Sequence, residues 1–142
     1  MLNTMLSSFF ATLGFGIVFN IRGKNLIYAG ITGTIGSIIY YLLPKMGANI
    51  FLAMFFASIA FSSFAEYCAR KCKSPVTTFV VCGLIPLVPG KGMYETMQLV
   101  IAGKTMEALT TGIETLSIAG ALAIGIVFVS TTIKYYYERK CR

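Results

Sequence analysis

The stretch PLVPGKGMYETM, residues 86–97, breaks an apolar run that would otherwise read as a membrane-spanning helix. It sets two prolines, two glycines, a lysine and a glutamate close together. Pro86 and Pro89 each remove an amide donor and crowd the preceding turn. Gly90 and Gly92 permit a turn between two half-helices. In hydrocarbon, non-helical backbone survives only when it is buried in protein or lines a wet cavity. The carbonyls freed ahead of each proline are open to water, ions or substrate. A second half-helix starting near Gly92 would present unpaired amides and a positive dipole end. Lys91 adds a full positive charge beside it. That combination suits a carboxylate, and secondary transporters use discontinuous helices in this way. The other reading is an ordinary loop at the membrane surface above a short helix.

The rest of the chain decides what solvent surrounds this break. Its 142 residues are 56% hydrophobic and 12% charged, about half the charge of a soluble domain. Mean hydropathy is +0.77. A spanning helix takes roughly 20 apolar residues, so the chain has room for about five and little else. The predicted fold is a single all-α transmembrane domain over residues 1–142, about five helices with the fourth interrupted at PLVPGKG. Net charge is +7, with no histidine. The positive residues fall in short clusters between apolar runs, which is the positive-inside pattern rather than a nucleic-acid surface. The first twenty residues lack Lys and Arg, so they read as a retained helix rather than a signal peptide.

Helix one is predicted at about 2–20, helix two at 26–43 with Pro44 ending it, and helix three at 49–67. Helix four opens after Pro75 and reaches Pro86 after half a span. A short helix resumes over YETMQLVIAG with Gly103 as its cap, and helix five covers about 107–133. Arg22 and Lys24 lie in the first loop, Lys45 in the second, and Arg70, Lys71 and Lys73 in the third. Lys134, Arg139, Lys140 and Arg142 form a basic tail that flanks an aromatic belt. If segment four crosses, the rich loops all fall on one side, with the N-terminus outside and the C-terminus cytoplasmic. A re-entrant segment four would put the tail outside, which its charges oppose.

The four cysteines, Cys68, Cys72, Cys82 and Cys141, read as unpaired thiols. A lone C-x3-C without histidine is a weak metal signal, and no metal or cofactor is expected. Glycines and alanines recur at Gly30, Gly33 and Gly36, at Ala53 and Ala57, and at Ala121 and Gly125. Small residues let helices approach in lipid, within this chain or against a partner.

The acids carry the remaining chemistry. Glu66 has Arg70 four residues on, the favourable order for a helical pair; it is a structural partner or a proton-coupling acid. Glu95 follows the break, either titrating in a cavity or solvated at the helix start. Glu107 and Glu114 share one face of the last helix. Glu114 lies deeper, with a pathway role or an outer-interface position. Tyr94 and Thr96 stand beside the break as candidate path residues, and Asn20 closes helix one as a cap or a ligand.

The segments FGIVFN (15–20), AGITGTIG (29–36), AEYCARKCKSPVTTF (65–79), PLVPGKGMYETM (86–97) and ETLSIAGALAIG (114–125) resemble the threonine/serine exporter family. The chain is similar to its short-subunit form, the counterpart of the C-terminal half of the fused exporters. P-L-V-P-G-x-G-x-Y is the most specific element, supported by Glu66, Ala69, Arg70 and Pro75. The resemblance implies a bacterial inner-membrane carrier for small amino acids such as threonine and serine, or for dicarboxylates such as succinate. It also implies a larger five-span partner subunit of opposite orientation. Two departures stand out: IRGK follows Asn20 where relatives carry a proline and paired arginines, and Lys91 occupies a gap usually filled by a small residue.

Two other functions compete. A non-transporting membrane scaffold would leave the break dry. An intramembrane enzyme is disfavoured by the absence of histidine, of any aspartate and of any H-E-x-x-H or G-x-S-x-G signature. Five helices are few to enclose a pathway, so a homo-oligomer or a partner is expected.

Overall fold

A computed structural model describes the backbone of residues 2–140 and the side chains of residues 5–136 and 139. Cys141, Arg142 and the Lys140 side chain, all in the predicted basic tail, lie outside the described residues. The chain folds as α1 (Leu2–Val18), α2 (Lys24–Lys45), α3 (Ile50–Cys72), α4 (Val76–Leu84), a 3-10 turn (Ile85–Leu87), α5 (Gly90–Ile101) and α6 (Thr105–Lys140). The fold is all-α, with no strand among the described residues.

Helices α2, α3 and α6 are each long and apolar enough to cross a membrane. Val76–Leu87 and Gly90–Ile101 pass the same test together, bent by 50° at the break. Each half is about 18 Å long at 1.5 Å per residue. Two such halves inclined at 50° reach about 30 Å, the thickness of the hydrocarbon layer. The shorter α1 reaches about 25 Å on the same rise. Several boundaries differ from those expected, most of all at the last helix, which was expected over about 107–133 and runs as α6 through the basic tail to Lys140. Helix α2 runs one residue beyond Pro44, within the normal wobble of a helix end. Helix α3 continues past Tyr67 to Cys72, because Arg70 and Lys71 are good helix formers and suit a C-terminal turn.

Four helix ends close in one way. After α1, Asn20 takes φ 57° and its N–H donates to the Ile17 carbonyl, while the Ile21 N–H donates to Gly16. The same reciprocal pair of bonds closes α2 at Gly47, α3 at Lys73 and α5 at Gly103, each with positive φ. This is the left-handed turn that satisfies orphan carbonyls at a helix end. Lys73 holds it at φ 50°, where a side chain costs roughly 1–2 kcal/mol. Lys73→Gly is therefore expected to raise stability by about 0.5–1 kcal/mol, after the entropy of an unfolded glycine is subtracted. Thermal unfolding in detergent measures it.

Helix α2 is the centre of the bundle. A Cβ on Gly30 would lie 2.7 Å from the Phe9 ring and 3.1 Å from Leu13, and one on Gly33 would strike Thr12, so α1 lies directly against α2. Gly36 takes Leu87 and Phe61 in the same way, and Gly83 of α4 takes Thr32 and Phe61. The pairs Thr32–Gly83 and Gly36–Leu87 keep one sequence offset, so α4 and the 3-10 turn run parallel to α2. Asn25 Nδ2 donates to Ser74 Oγ at 2.9 Å, tying the start of α2 to the loop ahead of α4. Arg22, Lys24, Arg70, Lys71 and Lys73 consequently gather at one end of the bundle, where Lys71 Nζ lies 5.6 Å from the Tyr28 ring centre.

Burial forms two clusters. Ile21, Ala29, Ala65, Cys68, Ala69, Phe79 and Cys82 pack near the basic end. Met54, Ala57, Phe61, Leu87 and Leu122 pack deeper in the bundle. The recurring small residues are used within the chain: Gly30, Gly33 and Gly36, Ala53 and Ala57, and Gly125 are all buried. A Cβ on Gly125 would strike Ser58 Oγ and lie 3.1 Å from the Phe55 carbonyl oxygen, so α6 touches α3 most closely there.

Candidate functional site at the break in the fourth segment

Helix α4 stops at Leu84 and tightens into the 3-10 turn. The Val88 N–H donates to the Leu84 carbonyl at 3.1 Å. Val88 is then extended, ψ 129°, as a residue ahead of proline prefers. Pro89 has φ −75° and ψ 57°, and the Gly90 N–H donates to the Val88 carbonyl at 2.7 Å. That is an inverse γ-turn with Pro89 at its centre. The Met93 N–H makes the first α-helical bond of α5, to the Pro89 carbonyl at 3.2 Å. The amides of Lys91 and Gly92 precede it, as first-turn donors. The prolines also withdraw the donors that a continuous helix would have sent to the carbonyls of Cys82 and Ile85. The second half-helix thus begins at Gly90, slightly earlier than the sequence suggested.

The depth of this break follows from its neighbours. Leu87 is 3% exposed and sits against Gly36 and within the Phe61 cluster. Gly36 and Phe61 stand near the midpoints of α2 and α3, helices of 22 and 23 residues. The chain therefore turns at mid-height of the bundle, not at its rim.

Beyond the break, α5 leans away from the bundle and packs on α6. Gly92 meets Thr115 of α6, and Thr96 Cγ2 lies 3.3 Å from where a Cβ on Gly112 would stand. Each helix offers a glycine notch to the other's threonine, in antiparallel register. Thr96 Oγ1 donates to the Gly92 carbonyl at 2.7 Å, and Thr115 Oγ1 to Thr111 at 2.7 Å, so neither hydroxyl is left bare in the contact.

The predicted site residues separate into three places. Pro86, Pro89, Gly90 and Gly92 form the break, and Gly92 and Thr96 face α6. Lys91, Tyr94 and Glu95 share the opposite face of α5. Tyr94 is exposed, and Lys91 Nζ lies 3.4 Å from Glu95 Oε1. Glu114 is exposed on α6, one residue from Thr115, and so stands at the height of the α5 start. Glu66 and Asn20 lie elsewhere, at the basic end. Glu66 is 8% exposed, and Arg70 donates to its Oε2 at 3.3 Å. Asn20 accepts from Arg22 Nε at 3.0 Å. Phe19 and Ile21 beside it line a hollow of about 210 Å³ with Thr77, Thr78 and Val81. Sequence reasoning missed Gly112 and Thr115, whose importance appears only with the α5–α6 register.

Over residues 4–132 the chain matches the threonine/serine exporter (ThrE) family. The chain belongs to that family. A relative from Haemophilus influenzae, an uncharacterized protein, is 29% identical over 97 residues, covering 68% of this chain and 33% of its own length. This exporter-family chain thus spans about a third of that relative. No solved structure matches it. Family membership and the apolar helices make it a multi-pass membrane protein of an exporter family, with the break at 86–92 inside its matched region.

Proposed function

We propose that the chain is a subunit of a secondary transporter in the bacterial inner membrane, exporting small amino acids such as threonine and serine, or small carboxylates. The observation that carries this is the γ-turn at Pro89, held at mid-height of α2 and α3. Free amides of Lys91 and Gly92, with the Lys91 ammonium and Tyr94 on the outer face of α5, suit a substrate carboxylate just beyond that turn, whereas Thr96 serves the contact with α6. Asn20, far from the break, acts as a helix cap. Glu95 and Glu114 at the height of the break, or Glu66 at the basic end, supply the coupling acid.

Orientation follows from the clustered positive charge: the basic end lies in the cytoplasm, the N-terminus outside and the C-terminus inside. The small residues are consumed within the chain, so α5 and the exposed faces of α6 are left to meet lipid, a larger five-span partner or a second copy. Alternating access moves one half against the other around the break.

Reconstitution into liposomes with the partner candidate, and a screen of labelled threonine, serine and succinate, tests the proposal. Substrate-dependent flux supports it. Flux with none of them, alone or with the partner, favours a scaffold. Lys91→Ala separates binding from folding. Its ion pair with Glu95 is solvent-exposed, so stability should stay within about 0.5 kcal/mol of wild type. Transport of a carboxylate substrate should fall, and a Michaelis constant raised without loss of protein is the expected result.

A further inference from the structure

Among the described residues four hydroxyls are wholly buried: Thr12, Thr32, Ser58 and Ser62. Three of them fold back on their own helix. Thr12 donates to the Ser8 carbonyl at 2.7 Å, Thr32 to Tyr28 at 2.8 Å and Ser58 to Phe55 at 2.7 Å. Ser62 Oγ has no partner. A buried hydroxyl without a hydrogen bond costs about 1–3 kcal/mol, and inside a lipid-embedded bundle bulk water cannot reach it.

Its position narrows what satisfies it. Ser58, Ser62, Glu66 and Arg70 follow one another at four-residue spacing, one rung per turn on a single face of α3. Neighbouring rungs are about 5–6 Å apart at Cβ, a span that one bridging molecule covers between the Ser62 hydroxyl and the Glu66 carboxylate, and Ser62 does not make the bond to the carbonyl four residues back that Thr12 and Thr32 make. Ser58 retains lone pairs after donating to Phe55. Glu66 is nearly buried and holds Arg70 with Oε2, leaving acceptor capacity on the carboxylate. A water needs two to four polar partners; Ser62 and Glu66 supply two on one stretch of this face, whereas the Ser58 hydroxyl is turned towards Gly125 of α6. The charged side chains of the helices packed on α3 lie towards the helix ends: Lys24 and Lys45 on α2, and Lys134 and Arg139 at one end of α6 with Glu107 and Glu114 in its other half. Helix α4 carries none. Nothing ionic on these helices stands at the height of Ser62.

We propose that Ser62 holds a buried water on the inner face of α3, hydrogen-bonded towards Glu66. Ser62 is a positioning residue: it carries the polar face from the Glu66–Arg70 pair at the basic end one turn deeper, towards the height of the break. In the transporter reading, on which the role but not the site rests, this water gives the Glu66 carboxyl a route for proton exchange towards the interior of the bundle.

Two measurements test it, and neither needs transport. An experimental density map of the wild-type protein at a resolution that shows water should carry a peak at hydrogen-bonding distance from Ser62 Oγ; an empty site there overturns the proposal. In infrared spectra, the Glu66 carboxyl band, assigned by its loss in Glu66→Gln, should shift in Ser62→Ala and stay in place in Ser62→Thr, which keeps the hydroxyl. A band that moves in neither variant, or equally in both, overturns it. If Ser62→Ala fails to fold, the wild-type map decides alone. Failure of the liposome assay would remove the transporter reading and leave the water site standing, whereas a dry Ser62 would do the reverse.

Discussion

Leucine at position 89 is expected to abolish export while leaving membrane insertion intact. Three consequences follow from that one change. The new residue regains an N–H that can reach the Ile85 carbonyl, Val88 is released from the extended conformation that a following proline favours, and the γ-turn loses its fixed φ. Each favours a straighter segment than the present 50° bend. Straightening swings α5 off α6 and separates Gly92 from Thr115, so the first-turn amides lose their place against α6. Pro86 remains, so the segment keeps some curvature, and Pro86→Ala/Pro89→Leu should be the more severe variant. Insertion should persist because the segment becomes a better spanning helix than before. The check is flux in liposomes beside the yield of folded, membrane-extracted protein. Undiminished export from an intact Pro89→Leu protein would remove the break from the transport path.

The largest loss of stability is expected at Gly125. A Cβ there would strike Ser58 Oγ, lie 2.9 Å from Ser58 Cβ and 3.1 Å from the Phe55 carbonyl oxygen. The first obstacle cannot rotate far, because Ser58 Oγ is bonded to Phe55, and the last is backbone. Helix α6 must therefore move away from α3. Overpacking of this kind costs about 1–3 kcal/mol for a methyl group and more for a larger side chain. Gly125→Ala should lower the unfolding midpoint clearly, and Gly125→Val should deplete the folded protein. Adding Ser58→Gly should restore part of the loss, since it removes the two nearest atoms. Gly120, on the same helix, faces open space, so Gly120→Ala should be neutral or stabilising by up to about 1 kcal/mol of helix propensity. Equal effects at 120 and 125 would show that the α3–α6 approach is looser than described.

Much of this architecture could be read from residue order. The long apolar runs produced α2, α3 and α6 because a bilayer fixes helix length, and Pro86 and Pro89 located the break to within a residue or two. Glu66 and Arg70 were legible as a pair because i,i+4 spacing needs no tertiary information. What could not be read was register. That Leu87 stands at Gly36, Gly92 at Thr115 and Gly125 at Ser58 depends on how helices slide past one another, and many small residues would serve equally well in lipid. The depth of the break, the grouping of Lys91, Tyr94 and Glu95 away from α6, and the isolation of Ser62 all follow from those registers. The helix ends were half-legible: Gly103 announced its turn, whereas Asn20 and Lys73 adopt the same left-handed conformation without glycine.

Helix α6, at 36 residues, is about 54 Å long, far more than a bilayer requires, and its tightest contact with the rest of the molecule is a single point, Gly125. A stiff rod gripped most closely at one place pivots about that place like a see-saw. Rocking it by about 10° about that fulcrum would carry its two tips some 4–5 Å in opposite directions, given a rise of 1.5 Å per residue. A displacement of the C-terminal tip would then be felt, with reversed sign, by the half-helix clasped to the far arm.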